Sequence, residues 1–294
     1  MKSKKLQKNK PLIGFVGQGF VGSAYADEFE KRGFKTVRYA LEDPYKNNKE
    51  KIKNCDIVFI AVPTPTTEKG FDDSIIRGAI KLVGSGKIAV IKSTILPGTT
   101  ASIQKENPKI FVFHSPEFLS EATALWDAAN PNRNIVGIPK LSKDYKDEAR
   151  KVLAVLPKAS FELITSSEEA ELIKYGGNCW FYFKVIFINM LYDVAKAKNI
   201  PWKTVRDAMS ADPRIGRTHL DPVHKSGRGA GGHCFIKDFA AFTNMYHDMV
   251  GDENGLKVLE SLRDKNVDLL LRSGKDLELL AGVYGKTFLK SRKN

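Results

Sequence analysis

The sequence is poor in several things, and each shortage narrows what the protein is. Three cysteines stand in 294 residues, Cys55, Cys179 and Cys234, an odd number and far apart. That argues against a disulfide framework or a zinc site and for a reducing, cytoplasmic setting. No apolar run approaches the roughly 20 residues that a membrane span needs. The start, Met-Lys-Ser-Lys-Lys, has no apolar stretch behind it, so no secretory signal is expected. Acidic residues are outnumbered, giving a net charge of +13, but the excess sits at the ends. Five lysines in residues 1–10 and four basic residues in 286–294 account for nine of those charges. They read as solvated tails rather than a nucleic-acid footprint, and the mildly basic body suits an anionic small substrate. At this length two domains are expected.

What is present begins with Leu12-Ile13-Gly14-Phe15-Val16, a short apolar run typical of a buried parallel strand. Gly17-Gln18-Gly19-Phe20-Val21-Gly22 follows at once, and then a helical stretch from Ser23 to Arg32. Between a strand and a helix, GxGxxG is a dinucleotide-binding signal. The first glycine permits the tight turn, the second admits the pyrophosphate, and the third lets helix and strand pack closely. Further strands are expected at 35–40, 57–62, 88–91, 110–114 and 134–138, with helices between them, notably over 73–83 and 142–156. That alternation implies a doubly wound α/β domain with a parallel sheet, whose ligands lie beyond the carboxyl ends of the strands. The ribose-binding acid usually found past the second strand is replaced by Tyr39, Ala40 and Leu41, with Glu42 and Asp43 next. Either acid serves from a shifted register, or Arg38 and Lys46 receive a 2′-phosphate; NAD is favoured over NADP.

Three strand ends carry turns rich in hydroxyls or carboxylates: Val62-Pro-Thr-Pro-Thr66, Lys92-Ser-Thr-Ile-Leu-Pro-Gly-Thr-Thr100 and Ser115-Pro-Glu-Phe-Leu-Ser-Glu121. Singly, each reads equally well as a helix cap; together, at corresponding ends of one sheet, they mark a site. In the second half, Ser166-Ser-Glu-Glu169 opens a long helix to about Lys198. It is apolar nearly all round and is expected to be buried between domains or at a dimer seam. Lys174 and Asn178 share one face of it at i, i+4. Gly227-Arg-Gly-Ala-Gly-Gly-His-Cys234-Phe-Ile-Lys237-Asp238 then delivers a cysteine from a glycine-rich loop. It reads either as a flexible loop with a half-buried thiol or as a nucleophile whose thiolate a nearby charge favours.

The ordered set of these pieces, with Pro131-Asn-Arg133 and Asp212-Pro-Arg214-Ile-Gly216, resembles the UDP-glucose/GDP-mannose dehydrogenase family over residues 12–250. Members of that family are NAD-dependent enzymes that oxidise a nucleotide sugar to its uronic acid. The resemblance implies a Rossmann domain over 11–165, a helical central and dimerisation domain over 166–275, and basic tails at 1–10 and 276–294. It implies that Cys234 forms a thioester. Lys174 and Asn178 stabilise the oxyanion. Thr94 and Asp238 hold the water that takes the alcohol's proton, and Glu121, or else Glu117, activates the hydrolytic water. NAD would be held by Gly17, Gly19, Phe20, Val21, Gly22, Lys46 and Thr64, and also by Ser93, Thr94, Glu121 and Lys237. The sugar nucleotide would meet Glu117, Phe118, Leu119, Lys174 and Asn178, then Gly231, Gly232 and the Arg214 that reaches across a homodimer. No metal is implied.

Ile236 departs from the family's usual proline, and the stretch after residue 272 is too short for the further nucleotide-binding domain that family members carry. This leaves room for a separate nucleotide-binding domain as a partner. It also keeps two alternatives open: a weak or inactive NAD-binding remnant that partners a full-length relative, and a two-electron hydroxyacid-type dehydrogenase using Lys174.

Overall fold

The computed structural model describes residues 10–292; residues 1–9 of the expected tail over 1–10, and residues 293–294, lie outside the described residues. The chain divides into two compact units. One comprises the chain up to Thr64 together with Asp73–Lys174, and the other comprises Pro65–Asp72 and the chain from Tyr175 onward.

In the first unit, strand β1 (Ile13–Val16) leads into helix α1 (Phe20–Lys31), then β2 (Thr36–Tyr39) and β3 (Ile57–Ile60). The ribbon of β4 (Thr66–Thr67) and β5 (Gly70–Phe71) intervenes and belongs to the second unit. Helix α2 (Ser74–Ile80), β6 (Ile88–Ile91), α3 (Thr99–Glu106), β7 (Phe111–His114), α4 (Ala124–Ala129), β8 (Arg133–Ile138), α5 (Lys143–Val155) and β9 (Phe161–Ser166) complete it. The seven strands run in the order β2-β1-β3-β6-β7-β8-β9. The chain therefore starts one strand in from the edge, steps out to β2 and returns past β1 to β3. The crevice at such a reversal is where ligands bind on open α/β sheets.

All pairings in this sheet are parallel except β7 with β8, which are antiparallel and meet at His114 and Gly137. The sheet is thus mostly rather than wholly parallel, as wide sheets often are toward an edge. The expectation also held no strand over 161–166. Phe-Glu-Leu-Ile-Thr-Ser lies at the sheet's edge beside β8, where half-exposed positions give a weak apolar pattern. The unbroken apolar strands are buried on both faces: Ile57–Ile60 and Ile88–Ile91 are buried at every position. Phe15, Phe29 and Phe59 meet between sheet and α1 with ring centroids 5.3–5.5 Å apart, a geometry that favours aromatic pairs.

The second unit is mostly helical. Helix α6 (Ser167–Ala197) enters it, followed by α7 (Trp202–Ser210), the ribbon β10 (Val223–His224) and β11 (Gly227–Arg228), α8 (Gly232–Val250) and α9 (Glu253–Ser273). Two short helices, α10 (Leu277–Tyr284) and α11 (Lys286–Ser291), occupy the stretch expected as a basic tail. Leu280 and Leu289 join Ile236, Val267 and Leu270 in one apolar cluster, so their burial draws this segment in. The face of α6 is not apolar cover throughout. Trp180, Phe187, Met190 and Val194 are exposed, while Tyr182 and Ile186 are buried. The ring of Tyr182 stacks on Phe239 of α8 at 3.8 Å.

The packing of α1 on β1 turns on Gly22, where an added Cβ would lie 2.0 Å from the Gly17 carbonyl oxygen. Gly22→Ala is expected to cost about 1–3 kcal/mol by forced overpacking, read as a lower midpoint in thermal or urea unfolding. An unchanged midpoint would contradict this packing.

Candidate active site

The glycine fingerprint closes the crevice at β1. Gly17 sits at φ +89°, and a Cβ on it would lie 2.2 Å from the Ala61 carbonyl oxygen at the end of β3. Gly19 has nothing within 4 Å of its would-be Cβ, so its place is open to a ligand. Helix α1 starts at Gly19 with no side-chain cap and no acid in its first turn. Phe20 and Val21 form that first turn. Three glycines thus do three different things: one turns, one leaves room, and one packs. An uncapped helix end without carboxylates is what a pyrophosphate needs.

The neighbouring strand ends are tied to one another. The Ser93 hydroxyl donates to the Val62 carbonyl at 2.6 Å and accepts the Val62 N–H at 3.0 Å. The Thr64 hydroxyl donates to the Thr94 carbonyl at 2.8 Å. Both threonines are buried. Within β2, Arg38 is held by Asp27 and Glu30 at 2.7 and 2.6 Å. Lys46 pairs with Asp43 at 2.7 Å in the open. Arg38 is therefore already neutralised, which weighs against its serving a 2′-phosphate.

Past β7, Glu117 is buried, and one of its oxygens accepts from Lys174 Nζ of α6 at 2.7 Å. The other accepts the Leu119 N–H at 2.7 Å. The side chains of Lys174 and Glu117 are only 5% and 9% exposed, so the pair is a buried one. Phe118 lies beneath the Arg133 guanidinium at 3.8 Å and 5.8 Å from Lys174 Nζ. Glu121, by contrast, is exposed on a single 3₁₀ turn. Beside the pair, Lys92 is buried and donates to the Ser115 hydroxyl at 3.0 Å, its ammonium 4.5 Å from the Tyr25 ring. Burial pushes its pKa down to about 7, with the Glu117 charge working against that shift. Lys92 opens one of the strand-end turns but is not among the expected site residues; as a lysine ending an apolar strand it reads like a surface residue.

In the second unit, the glycine-rich loop is held rather than flexible. Asn266 accepts the Ala230 N–H at 2.7 Å and donates to its carbonyl at 3.0 Å. Lys275 Nζ donates to the Gly229 carbonyl at 3.0 Å, and Asp276 accepts the Gly232 N–H at 2.7 Å. Cys234 stands half-exposed in the first turn of α8, where a helix's amino end favours a thiolate. One turn later Asp238 is 1% exposed. Its two oxygens accept from Asn178 Nδ2 at 2.6 Å and from Lys237 Nζ at 2.5 Å. Its charge and burial together push the Cys179 thiol upward, burial more strongly. Arg214 is exposed and folded back on Asp212 at 2.6 Å.

The site residues thus fall into two sets. Within the first unit Lys174 and Glu117 are brought together; within the second, Asn178 and Asp238. Helix α6 runs unbroken through Gly176 and Gly177, which keeps Lys174 and Asn178 at i, i+4. No helix among the described residues is long and apolar enough to cross a membrane.

The chain is similar to known proteins over most of its length. Residues 41–154 match the NAD-binding domain of the UDP-glucose/GDP-mannose dehydrogenase family, and residues 168–267 match its central domain. A UDP-glucose 6-dehydrogenase of Rickettsia prowazekii is 31% identical over 253 residues, covering 83% of this chain and 56% of its own length. A putative UDP-glucose 6-dehydrogenase of Bacillus subtilis is 29% identical over 76% of this chain and 54% of its own. A UDP-glucose dehydrogenase structure from Pyrobaculum islandicum superposes with a TM-score of 0.74 at 25% identity, over 90% of this chain and 72% of that one. The chain spans about half the length of the curated relatives it matches.

Removing Glu117 alone strands a buried ammonium. Glu117→Ala is expected to destabilise by about 3–5 kcal/mol, and Lys174→Met added to it should recover part of that; denaturant unfolding of the two variants measures both. His114 gives a pH test. Burial pulls its imidazole down to about 3, the charges of Lys92 and Lys174 push the same way, and the Ser93 carbonyl opposes. The unfolded chain therefore takes up a proton between about pH 6.5 and 3 that the folded chain refuses, and stability falls as pH falls through that window. His114→Gln should flatten the slope by up to one proton, about 1.4 kcal/mol per pH unit; an unaltered slope would contradict a neutral buried His114.

Proposed function

The chain belongs to the UDP-glucose/GDP-mannose dehydrogenase family, and on that premise we propose that it oxidises the primary alcohol of a nucleotide sugar, UDP-glucose by default, to the uronic acid through a thioester on Cys234. The observation that carries the reading is the start of α8. It sets a half-exposed thiol on a helix's amino end and, one turn on, a buried carboxylate already hydrogen-bonded to Asn178 and Lys237.

NAD, which the three glycines and the uncapped α1 fit, supplies a hydride acceptor for each of two oxidations. The chain's own groups do the rest. A water held by Asp238 takes the alcohol's proton as the aldehyde forms. The Cys234 sulfur adds to the aldehyde carbon to give a hemithioacetal, whose oxygen takes on negative charge. The donors on α6, Asn178 and Lys174, stabilise that charge. Loss of a second hydride from the same carbon leaves the thioester. Water activated by Glu121 or Glu117 then attacks it, releasing the carboxylate and returning the thiol. Of the two, Glu121 lies exposed on a short turn and Glu117 is held by Lys174; the family pattern puts Glu121 first.

The exposed stripe of Trp180, Phe187, Met190 and Val194 on α6 supports a homodimer as the working form, since an apolar face of this kind seeks cover. Arg214, exposed on a turn, suits contact with a partner's substrate.

Two outcomes test the reading. Cys234→Ser should reduce uronate formation by about a thousandfold or more, measured by chromatography of products after incubation with NAD and UDP- or GDP-sugars. Uronate at the wild-type rate would overturn it. Phe187→Glu should convert a dimer to a monomer in sedimentation, and an unchanged sedimentation coefficient would remove α6 as the seam.

A further inference from the structure

The helix that carries Cys234 begins without a cap of its own. Its N-cap is Gly231, where a serine or aspartate would ordinarily satisfy the first amides. A Cβ at Gly231 would lie 2.0 Å from Oδ2 of Asp276. That oxygen accepts the Gly232 N–H at 2.7 Å, from 44 residues further along the chain. The capping carboxylate is thus delivered from beyond the end of α9, and glycine at 231 is what lets it in.

Delivery demands an unusual backbone. Asp276 sits at φ 54° and ψ 33°, the left-handed region that non-glycine residues seldom adopt. Such conformations persist where the surroundings over-determine them. Here Lys275, buried beside it, grips the Gly229 carbonyl, and Gly229 itself is at φ +93° against Asn266 and Leu269. The two segments hold each other, and both lie within the second unit.

Cys234 is the third residue of that helix, so the amide bonded to Asp276 belongs to the turn that carries the thiol. The amino end of a helix favours an anion, and a carboxylate placed on it opposes a second one. We propose that Asp276 is a positioning residue for Cys234, fixing the first turn of α8 and holding the thiol toward its protonated form. This rests on Cys234 being the nucleophile. A thiol kept protonated at rest is a poorer target for oxidation, which requires thiolate character and exposure.

Other charged groups surround this turn. His233, Lys237 and Asp238 lie on α8 itself. Lys275 adjoins Asp276, Lys225 on the β10–β11 turn acts on Lys275, and Glu68 comes from the ribbon that packs on α8. His219 lies with its ring 5.7 Å from that of Phe235. Of these, Asp276 is the group bonded to the amide that starts the helix, and Lys237 and Asp238 neutralise each other at 2.5 Å.

The test is the pH profile of Cys234 alkylation by iodoacetamide in the full chain, followed on the Cys234 peptide by mass spectrometry from about pH 5 to about pH 10. Asp276→Asn keeps an acceptor for Gly232 and tolerates the left-handed backbone while removing the charge. Asp276→Gly keeps the backbone unstrained and removes both. Asp276→Asn should lower the alkylation midpoint by about half a pH unit with an unchanged thermal midpoint, and Asp276→Gly should lower the alkylation midpoint as well. A midpoint in Asp276→Asn equal to or above the wild type would overturn the proposal. Alkylation needs no turnover, so failure here is separate from failure of the nucleotide-sugar reading, which the uronate assay of Cys234→Ser decides.

Discussion

The contact on which the site of the first unit depends is the buried ion pair between Lys174 and Glu117. An ammonium and a carboxylate taken out of water cost several kcal/mol each unless they meet with good geometry and fill their remaining hydrogen-bond positions. Glu117 meets that demand with Lys174 on one oxygen and the Leu119 amide on the other. Doing so ties the turn after β7 to α6 and fixes the backbone of Phe118 and Leu119 between them. The same constraint repeats in the second unit. Asp238 is buried with both oxygens occupied, and Asp276 is drawn in to the start of α8. Each of these carboxylates is bonded within the fold.

A second constraint is close approach of main chain. At Gly17 and Gly22 a side chain would run into backbone oxygen, and at Gly231 into a carboxylate. These are different reasons for the same residue. Two bring α1 against the strand ends, and the third admits a remote cap. Within each unit, close backbone approach of this kind makes a rigid support.

Much of this was legible in the residues. Apolar runs such as Ile57–Ile60 announce buried parallel strands, and the fingerprint after Val16 announces the crevice, because both signals are local. The spacing of Lys174 and Asn178 was visible for the same reason. What escaped depends on distance along the chain. The partner of Lys174 lies 57 residues away, and that of Gly232 lies 44 away. Lys92 looks like any lysine after a strand until its burial is known. The edge strand over 161–166 and the helices after Leu277 were missed because weak patterns there are decided by neighbours: β8 in one case, the cluster around Leu270 in the other. The exposed stripe on α6 was hidden within a helix that is apolar on several faces at once.

Counting reduced cofactor per sugar decides whether the proposed oxidation through Cys234 takes four electrons. Purified chain would be incubated with excess NAD and a limiting nucleotide sugar, with NADH followed by absorbance and sugar consumption by chromatography. Two NADH for each sugar consumed are expected. One NADH per sugar, with an aldehyde or ketone as the end product, would contradict a four-electron oxidation.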